Sequence, residues 1–160
     1  MTEKLAKSAQ SVQEALNQKG LQCTVKMLSQ STRTAEEAAA TLNCDVSQIV
    51  KSLIFKTKKT QSPLLILVSG PNRVNEKCIE SYLEEEITKA DADYTREVTG
   101  FAIGGIPPIG HAQKIDLIFI DEDLLKFDTL WAAAGTPNSV FSIKGKDLCL
   151  LTEAKVVSVK

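Results

Sequence analysis

A chain of 160 residues with 43% hydrophobic positions is long enough for one domain with a core of its own, and short for two. Its 19 basic and 20 acidic residues leave a formal net charge of -1, so no global positive field draws it to nucleic acid and any RNA contact has to be local. No stretch approaches the roughly 18 apolar residues of a membrane span, and Met1 to Gln10 is too polar for a signal-peptide core, so a cytoplasmic protein with no membrane partner is expected, residues 1–160 forming a single domain.

Leu5, Ala9, Val12 and Leu16 step by four, three and four residues, which predicts one buried face of a helix that Gly20 can close. Leu21 to Leu28 reads as a strand, with Cys23, Val25 and Met27 alternating against Thr24 and Lys26. Thr34 and Glu37 have the spacing of a reciprocal capping box, and the helix they start carries a stripe of Ala35, Ala38, Ala39 and Leu42, small enough to lie close against a sheet. Asp45 and Gln48 cap a further short turn that leads into Lys51 to Lys56, a strand. Leu64 to Ser69 is a second, more apolar strand, and the polar segment Thr57 to Ser62 joins the two as a hairpin. Gly70, Pro71 and Asn72 end it, and Val74 to Leu83 reads as a helix whose acidic end, Glu84 to Glu86, faces water. Leu117 to Ile120, Leu130 to Ala134 and Val140 to Ile143 supply more strands, with helical turns near Asp121 to Lys126 and Lys146 to Leu151. Helices interleaved with about six strands, some joined by short loops, favour a mixed α/β domain over a strictly parallel one.

Cys23, Cys44, Cys78 and Cys149 are widely scattered, unlike the local pairs of zinc sites and disulfide frameworks, and read as reduced core thiols. His111 is the only histidine, so a site built on two or three imidazoles is excluded within one chain and no metal or other cofactor is expected. Lys51 shares its strand face with Leu53 and Phe55, opposite Ser52, Ile54 and Lys56. A lysine on an apolar face either snorkels to water from the strand end or is a partly desolvated ammonium placed for an anion, and the sequence leaves both open.

Gly100 to His111, Gly-Phe-Ala-Ile-Gly-Gly-Ile-Pro-Pro-Ile-Gly-His, is a stiff, sharply bent loop. Its glycines permit close backbone approach to a ligand, while Pro107 and Pro108 fix its path. A tight connection between elements explains the pattern equally well. It lacks the strand and helix context of a dinucleotide fingerprint, and no P-loop triplet is present. Ala132 to Ser139 runs from small residues into Thr136, Pro137, Asn138 and Ser139, either a pocket wall with hydrogen-bonding groups or a strand end and turn. His111, lone and beside a glycine, is more often a structural hydrogen-bonder than a catalyst.

In this order, Thr34-Ala-Glu-Glu-Ala-Ala39, Ile49-Val-Lys-Ser-Leu-Ile-Phe55, Gly104-Gly-Ile-Pro-Pro-Ile-Gly110 and Ala134-Gly-Thr-Pro-Asn-Ser139 resemble the successive signature segments of the YbaK/ProX family of aminoacyl-tRNA deacylases, which includes the editing domain of bacterial prolyl-tRNA synthetases. The resemblance runs through most of the chain. It implies a single compact α/β domain with a mixed, barrel-like β-sheet and surrounding helices, acting in trans on the acceptor end of mischarged transfer RNA, alone or with an aminoacyl-tRNA synthetase. The family lysine falls on Lys51. The loop whose backbone amide helps hold the substrate carbonyl falls on Gly104, Gly105 and Ile106, with Gly105 its centre, and Pro107, Pro108, Gly110 and His111 continue the substrate-binding loop. Gly135, Thr136, Pro137, Asn138 and Ser139 fall on the second substrate-binding segment. Proline at both 107 and 108, where many members have serine or threonine first, marks a subgroup and leaves open whether alanine, cysteine, serine or threonine is removed. The resemblance further implies that the proton of the attacking water passes to the substrate's own ribose hydroxyl. The rival class is a non-catalytic module that binds an aminoacyl end or small metabolite in the same pocket. If RNA is bound, Lys56, Lys58 and Lys59 are candidate contacts.

Overall fold

The computed structural model describes residues 6–160. Leu5, first of the expected helical stripe, lies outside them, but the rest of the stripe behaves as its spacing predicts. Helix α1 spans Lys7–Gln18 with Ala9, Val12 and Leu16 fully buried, and Gly20, at φ +75°, turns the chain out of it. The strand expected over residues 21–28 is reduced to β1, Lys26–Met27. Its backbone has found another partner: the Gln13 side chain of α1 donates to the Cys23 carbonyl at 2.9 Å and accepts from the Val25 amide at 2.8 Å.

Helix α2, Ala35–Leu42, starts where the Thr34 hydroxyl accepts from the Glu37 amide at 3.1 Å. Only half of the expected box forms, because the Glu37 carboxylate takes the Ser31 hydroxyl at 2.8 Å instead. The box at Asp45 and Gln48 is complete around a 3-10 turn, Val46–Gln48. Strands β2, Ile49–Thr57, and β3, Pro63–Ser69, make the expected antiparallel hairpin. Helix α3 spans Glu76–Leu83. The acidic run after it does more than face water: Glu84 closes the helix at φ 57°, and Glu85 accepts from the Lys59 and Thr60 amides at 3.0 and 2.9 Å, bracing the hairpin turn. Two unforeseen elements follow, β4, Ile87–Lys89, and helix α4, Ala92–Thr99. Then come β5, Leu117–Asp121; a 3-10 turn, Glu122–Lys126; β6, Leu130–Ala133; β7, Ser139–Ile143; α5, Gly145–Thr152; and β8, Lys155–Val157.

Eight strands, rather than six, form one mixed sheet in the order β1-β7-β6-β2-β3-β5-β8, with β4 added beside β2. Strand alternation sorts the side chains into two cores. Val50, Ile54, Leu65, Leu67, Ile120, Leu130 and Phe141 pack with α1, α4 and α5 on one face. Phe55, Leu64, Ile66, Val68 and Phe119 pack with Ile79 of α3 on the other, where Ile49 also meets the alanines of α2.

One irregularity positions the site. Along one edge β2 pairs with β3 from Val50 to Lys56. Along the other it pairs with β6 at Ile49 and Val50 and with β4 from Phe55 to Thr57, so the residues between have no strand beside them. The sheet is split there.

Candidate active site

The split is occupied by a cavity of about 480 Å³. Because it passes through the sheet, it draws walls from both faces of β2. Ala35, Glu36 and Leu42 of α2, with Ile49, Lys51, Trp131 and Val140, line it on one face; Ser52, Ile54, Ile106 and Ala132 line it on the other. The walls are largely apolar, as in most small-ligand sites, which fix orientation with a few polar groups.

Of the three cations in those walls, Arg33, Lys51 and Lys89, only Lys51 is drawn out of solvent. It is half-buried and shares its face with Leu53 and Phe55 as strand alternation requires, and its ammonium donates to the Asn72 carbonyl at 2.6 Å. Burial holds it below the ordinary lysine range. The carboxylates of Glu36 and Asp121 act in the opposite sense, and the Arg73 guanidinium adds to the lowering.

The loop from Gly104 reaches the same cavity, but only in part. Gly104, at φ +101°, and Ile106 line it, with the Arg33 side chain packed over Gly104 so closely that a Cβ there would come within 2.9 Å of Arg33 Cγ. Gly105 is buried one layer behind. Its amide donates to the Ala102 carbonyl at 3.2 Å, its carbonyl accepts from the Gly135 amide at 2.8 Å, and a Cβ on it would lie 2.9–3.0 Å from the Thr136 backbone. Pro107 and Pro108 are buried away from the cavity, Gly110 is exposed at φ +79°, and the half-buried His111 donates from Nε2 to the Pro107 carbonyl at 2.7 Å. Burial lowers the His111 pKa, with the Pro107 carbonyl opposing. These four residues brace the loop.

The second segment also supports the wall from behind. Thr136 Oγ1 donates to Ser139 Oγ at 2.7 Å, Asn138 Nδ2 donates to the Leu28 carbonyl at 2.8 Å, and the Pro137 carbonyl accepts from the Thr32 amide at 2.6 Å. Gly135, at φ +98°, abuts Phe101 and the Ser8 backbone of α1, not the cavity. The small wall residues are instead Ala132 and Ala133 of β6. Sequence reasoning missed Glu36, Ser52 and Trp131 as lining residues. The small-residue stripe of α2 was a signal for a close approach, but not for a cavity beside it.

Among the described residues no group of three His, Cys, Asp or Glu side chains is placed to hold a metal ion, and the four cysteines are free. Burial raises the pKa of Cys23, Cys44 and Cys149, which keeps these thiols protonated. Among the described residues no helix is long and apolar enough to cross a membrane.

A mixed α/β protein with a largely apolar slot through its sheet, walled in part by a half-buried ammonium and a glycine loop, is the class that the fold and site define, and those walls have the chemistry to suit an anionic or carbonyl-bearing group. The comparisons agree with that class. The family model described as an aminoacyl-tRNA editing domain matches residues 29–150, and the chain belongs to that family. The chain is 30% identical over 126 residues to the protein YwhH of Bacillus subtilis (strain 168), covering 79% of each. It is 32% identical over 97 residues to the proline–tRNA ligase of Limosilactobacillus fermentum, covering 58% of this chain and 17% of the ligase. A solved structure described as a candidate trans-editing enzyme for prolyl-tRNA synthetase superposes with a TM-score of 0.92 at 42% identity, covering 98% of this chain and 99% of that one.

Proposed function

We propose that this protein is a trans-acting deacylase that hydrolyses the ester of mischarged transfer RNA carrying a small amino acid such as alanine, cysteine, serine or threonine. The observation that carries the reading is the half-buried Lys51 ammonium in the wall of a largely apolar cavity that the Gly104 loop also lines. Membership of the editing family and the similarity to a candidate trans-editing enzyme support it.

An aminoacyl ester is already activated, so little machinery is needed. Water attacks the ester carbonyl carbon, and the carbonyl oxygen becomes an oxyanion beside Lys51 and the amides of the loop around Gly104. Collapse breaks the bond to the ribose oxygen, which leaves as the hydroxyl, and the proton lost by water passes to the substrate's own ribose. Donors aimed at the developing charge are each typically worth about 10²–10³ in rate. The donor set on the walls favours a reaction without a metal, and activity that survives exhaustive chelation is expected.

Size is the proposed filter. A cavity of about 480 Å³ has to take the ester and part of the ribose, and Ala132, Ala133 and Val140 leave short side chains room that longer ones lack. The synthetase pocket that such an enzyme backs up separates neighbours differing by a methylene by only about 1–3 kcal/mol, so a second sieve is useful. The test is the initial rate across a panel of aminoacyl groups on one transfer RNA, for wild type and Lys51→Ala. Alanyl, seryl, threonyl or cysteinyl esters should be cleaved and phenylalanyl esters spared, with Lys51→Ala slower by at least about 10²-fold at an unchanged circular dichroism spectrum. Binding of the aminoacyl end without turnover would establish the non-catalytic module instead, and equal rates for alanyl and phenylalanyl esters would remove size as the filter.

A further inference from the structure

A lysine on a strand has a long flexible stem, and its sequence position does not fix where the ammonium points. In this protein a second residue fixes it. Asn72 lies in the turn after β3, its amide donating back to the Ser69 carbonyl at 2.9 Å, and its own carbonyl accepts from Lys51 Nζ at 2.6 Å. The side chain of the same residue is held from behind: Asn72 Nδ2 donates to Asp121 Oδ2 at 2.7 Å and to Asp123 Oδ2 at 2.8 Å. Both hydrogens of the amide are used, so the side chain cannot swing without breaking a charge-assisted bond, and it anchors the Cα that carries the carbonyl.

The anchor is itself rigid. Asp121 is fully buried, forms no ion pair among the described residues, and accepts from the Ser69 and Asp123 amides at 3.1 and 2.9 Å as well as from Asn72. Asp123 is held by Lys126 at 2.8 Å and Lys160 at 2.9 Å, which keep its carboxyl well below the usual range and therefore charged. A buried carboxylate is costly unless its bonds are satisfied. A turn serving only to join β3 to α3 has no need of two carboxylates converging on one amide.

We propose that Asn72 is a positioning residue for Lys51, clamped by Asp121 and Asp123 so that its carbonyl aims the ammonium into the cavity. The proposal rests on the reading of Lys51 as the oxyanion-stabilising group. The charged groups that face Lys51 are Glu36 from α2, Arg73 from the turn after Asn72, and Asp121 from the end of β5. Losing the tether changes the ammonium's distance from each of them.

The experiment compares wild type, Asn72→Ala and Lys51→Ala by steady-state kinetics on one mischarged transfer RNA across pH, and follows the Lys51 side-chain nitrogen in ¹⁵N-lysine NMR spectra of wild type and Asn72→Ala. The expected result for Asn72→Ala is a fall in kcat of about 10- to 10²-fold with KM nearly unchanged, the cost of a misaimed group. The alkaline limb of the pH profile should move, and the Lys51 nitrogen signal should shift and titrate differently. A purely structural role would lower the melting temperature and leave the kcat profile and the nitrogen titration of the folded fraction where they were, and that result would overturn the proposal. Activity in Lys51→Ala equal to wild type would remove the catalytic reading on which it rests, a failure distinct from unchanged kinetics in Asn72→Ala beside an inactive Lys51→Ala. Should Asn72→Ala not fold, Asp123→Ala removes one of the two acceptors of the clamp while leaving the buried Asp121, and the same shifts in the same sense are expected.

Discussion

At the scale of single residues, the chemistry of the proposed site reduces to the charge state of Lys51. Burial is the largest influence and lowers its pKa, so the ammonium is lost at a lower pH than from an exposed lysine. If the ammonium stabilises the oxyanion, the rate is full below that pKa and falls as pH rises through it. The alkaline limb of kcat should therefore lie below the ordinary lysine range, after subtraction of the uncatalysed hydrolysis measured with Lys51→Ala. A rate still rising where exposed lysines deprotonate would show that the charged form is not needed. Replacing Asp121 by asparagine removes a nearby negative charge and should move the limb further down. Lys51 was legible in the sequence because strand alternation alone put a cation on an apolar face. Its tether was not, since Asn72 lies 21 residues on and meets it only because the hairpin register brings Val50 opposite Ser69.

The elements show why part of the fold was readable and part was not. Where a segment's bonds are local, its sequence pattern sufficed: α1 follows its apolar spacing, the turn at Val46–Gln48 follows Asp45 and Gln48, and the β2–β3 hairpin follows its two apolar runs. Where partners are distant the pattern failed. β4 and β8 are three residues each, too short for alternation to register, and exist as strands because β2 and β5 present edges to them. Residues 21–28 alternate like a strand, yet Gln13 of α1 takes the backbone bonds that a neighbouring strand would have supplied. The candidate site shares this division. Its contributing segments were visible, whereas the split between β6 and β4 that opens the cavity is a property of the assembled sheet. Helix α2 links the two levels, since its first turn is at once a wall of the cavity and a capped helix end. Thr34→Ala removes the bond to the Glu37 amide and should cost about 1 kcal/mol of stability. Because Ala35 and Glu36 line the cavity, the same change should raise KM as the first turn frays, whereas removing the Asp45 cap should lower stability alone. Parallel denaturation and kinetics on the two variants separate these outcomes, and an unchanged KM in Thr34→Ala would detach α2 from substrate binding.

For the whole molecule, a net charge of -1 means that any attraction to RNA, as the proposed function requires, has to come from the arrangement of charge and not from its sum. Two of the three candidate lysines of the hairpin are already engaged, Lys56 lying 4.9 Å over the Tyr94 ring and Lys58 pairing with Glu86 at 3.6 Å, while Lys59 is exposed. The cavity rim is better supplied. Arg33 and Lys89 are exposed, line the cavity from opposite ends of the split, and take part in no ion pair among the described residues, while Arg73 is near enough to influence Lys51. An acceptor end threading its ester into the split would carry its phosphates past this rim, and each neutralised phosphate of a single strand contributes a slope of about -0.7 to log K against log salt. KM should accordingly rise with salt, and Arg33→Ala with Lys89→Ala should raise it further at low salt and flatten its salt dependence by about one phosphate contact per residue removed. At saturating substrate kcat should be unchanged, because neither side chain is assigned to the reacting carbonyl. The corresponding pair Lys56→Ala with Lys58→Ala should leave the slope as it is. If instead the hairpin pair flattens the salt dependence and the rim pair does not, the transfer RNA approaches across the β2–β3 turn, and the rim cations have no part in holding it.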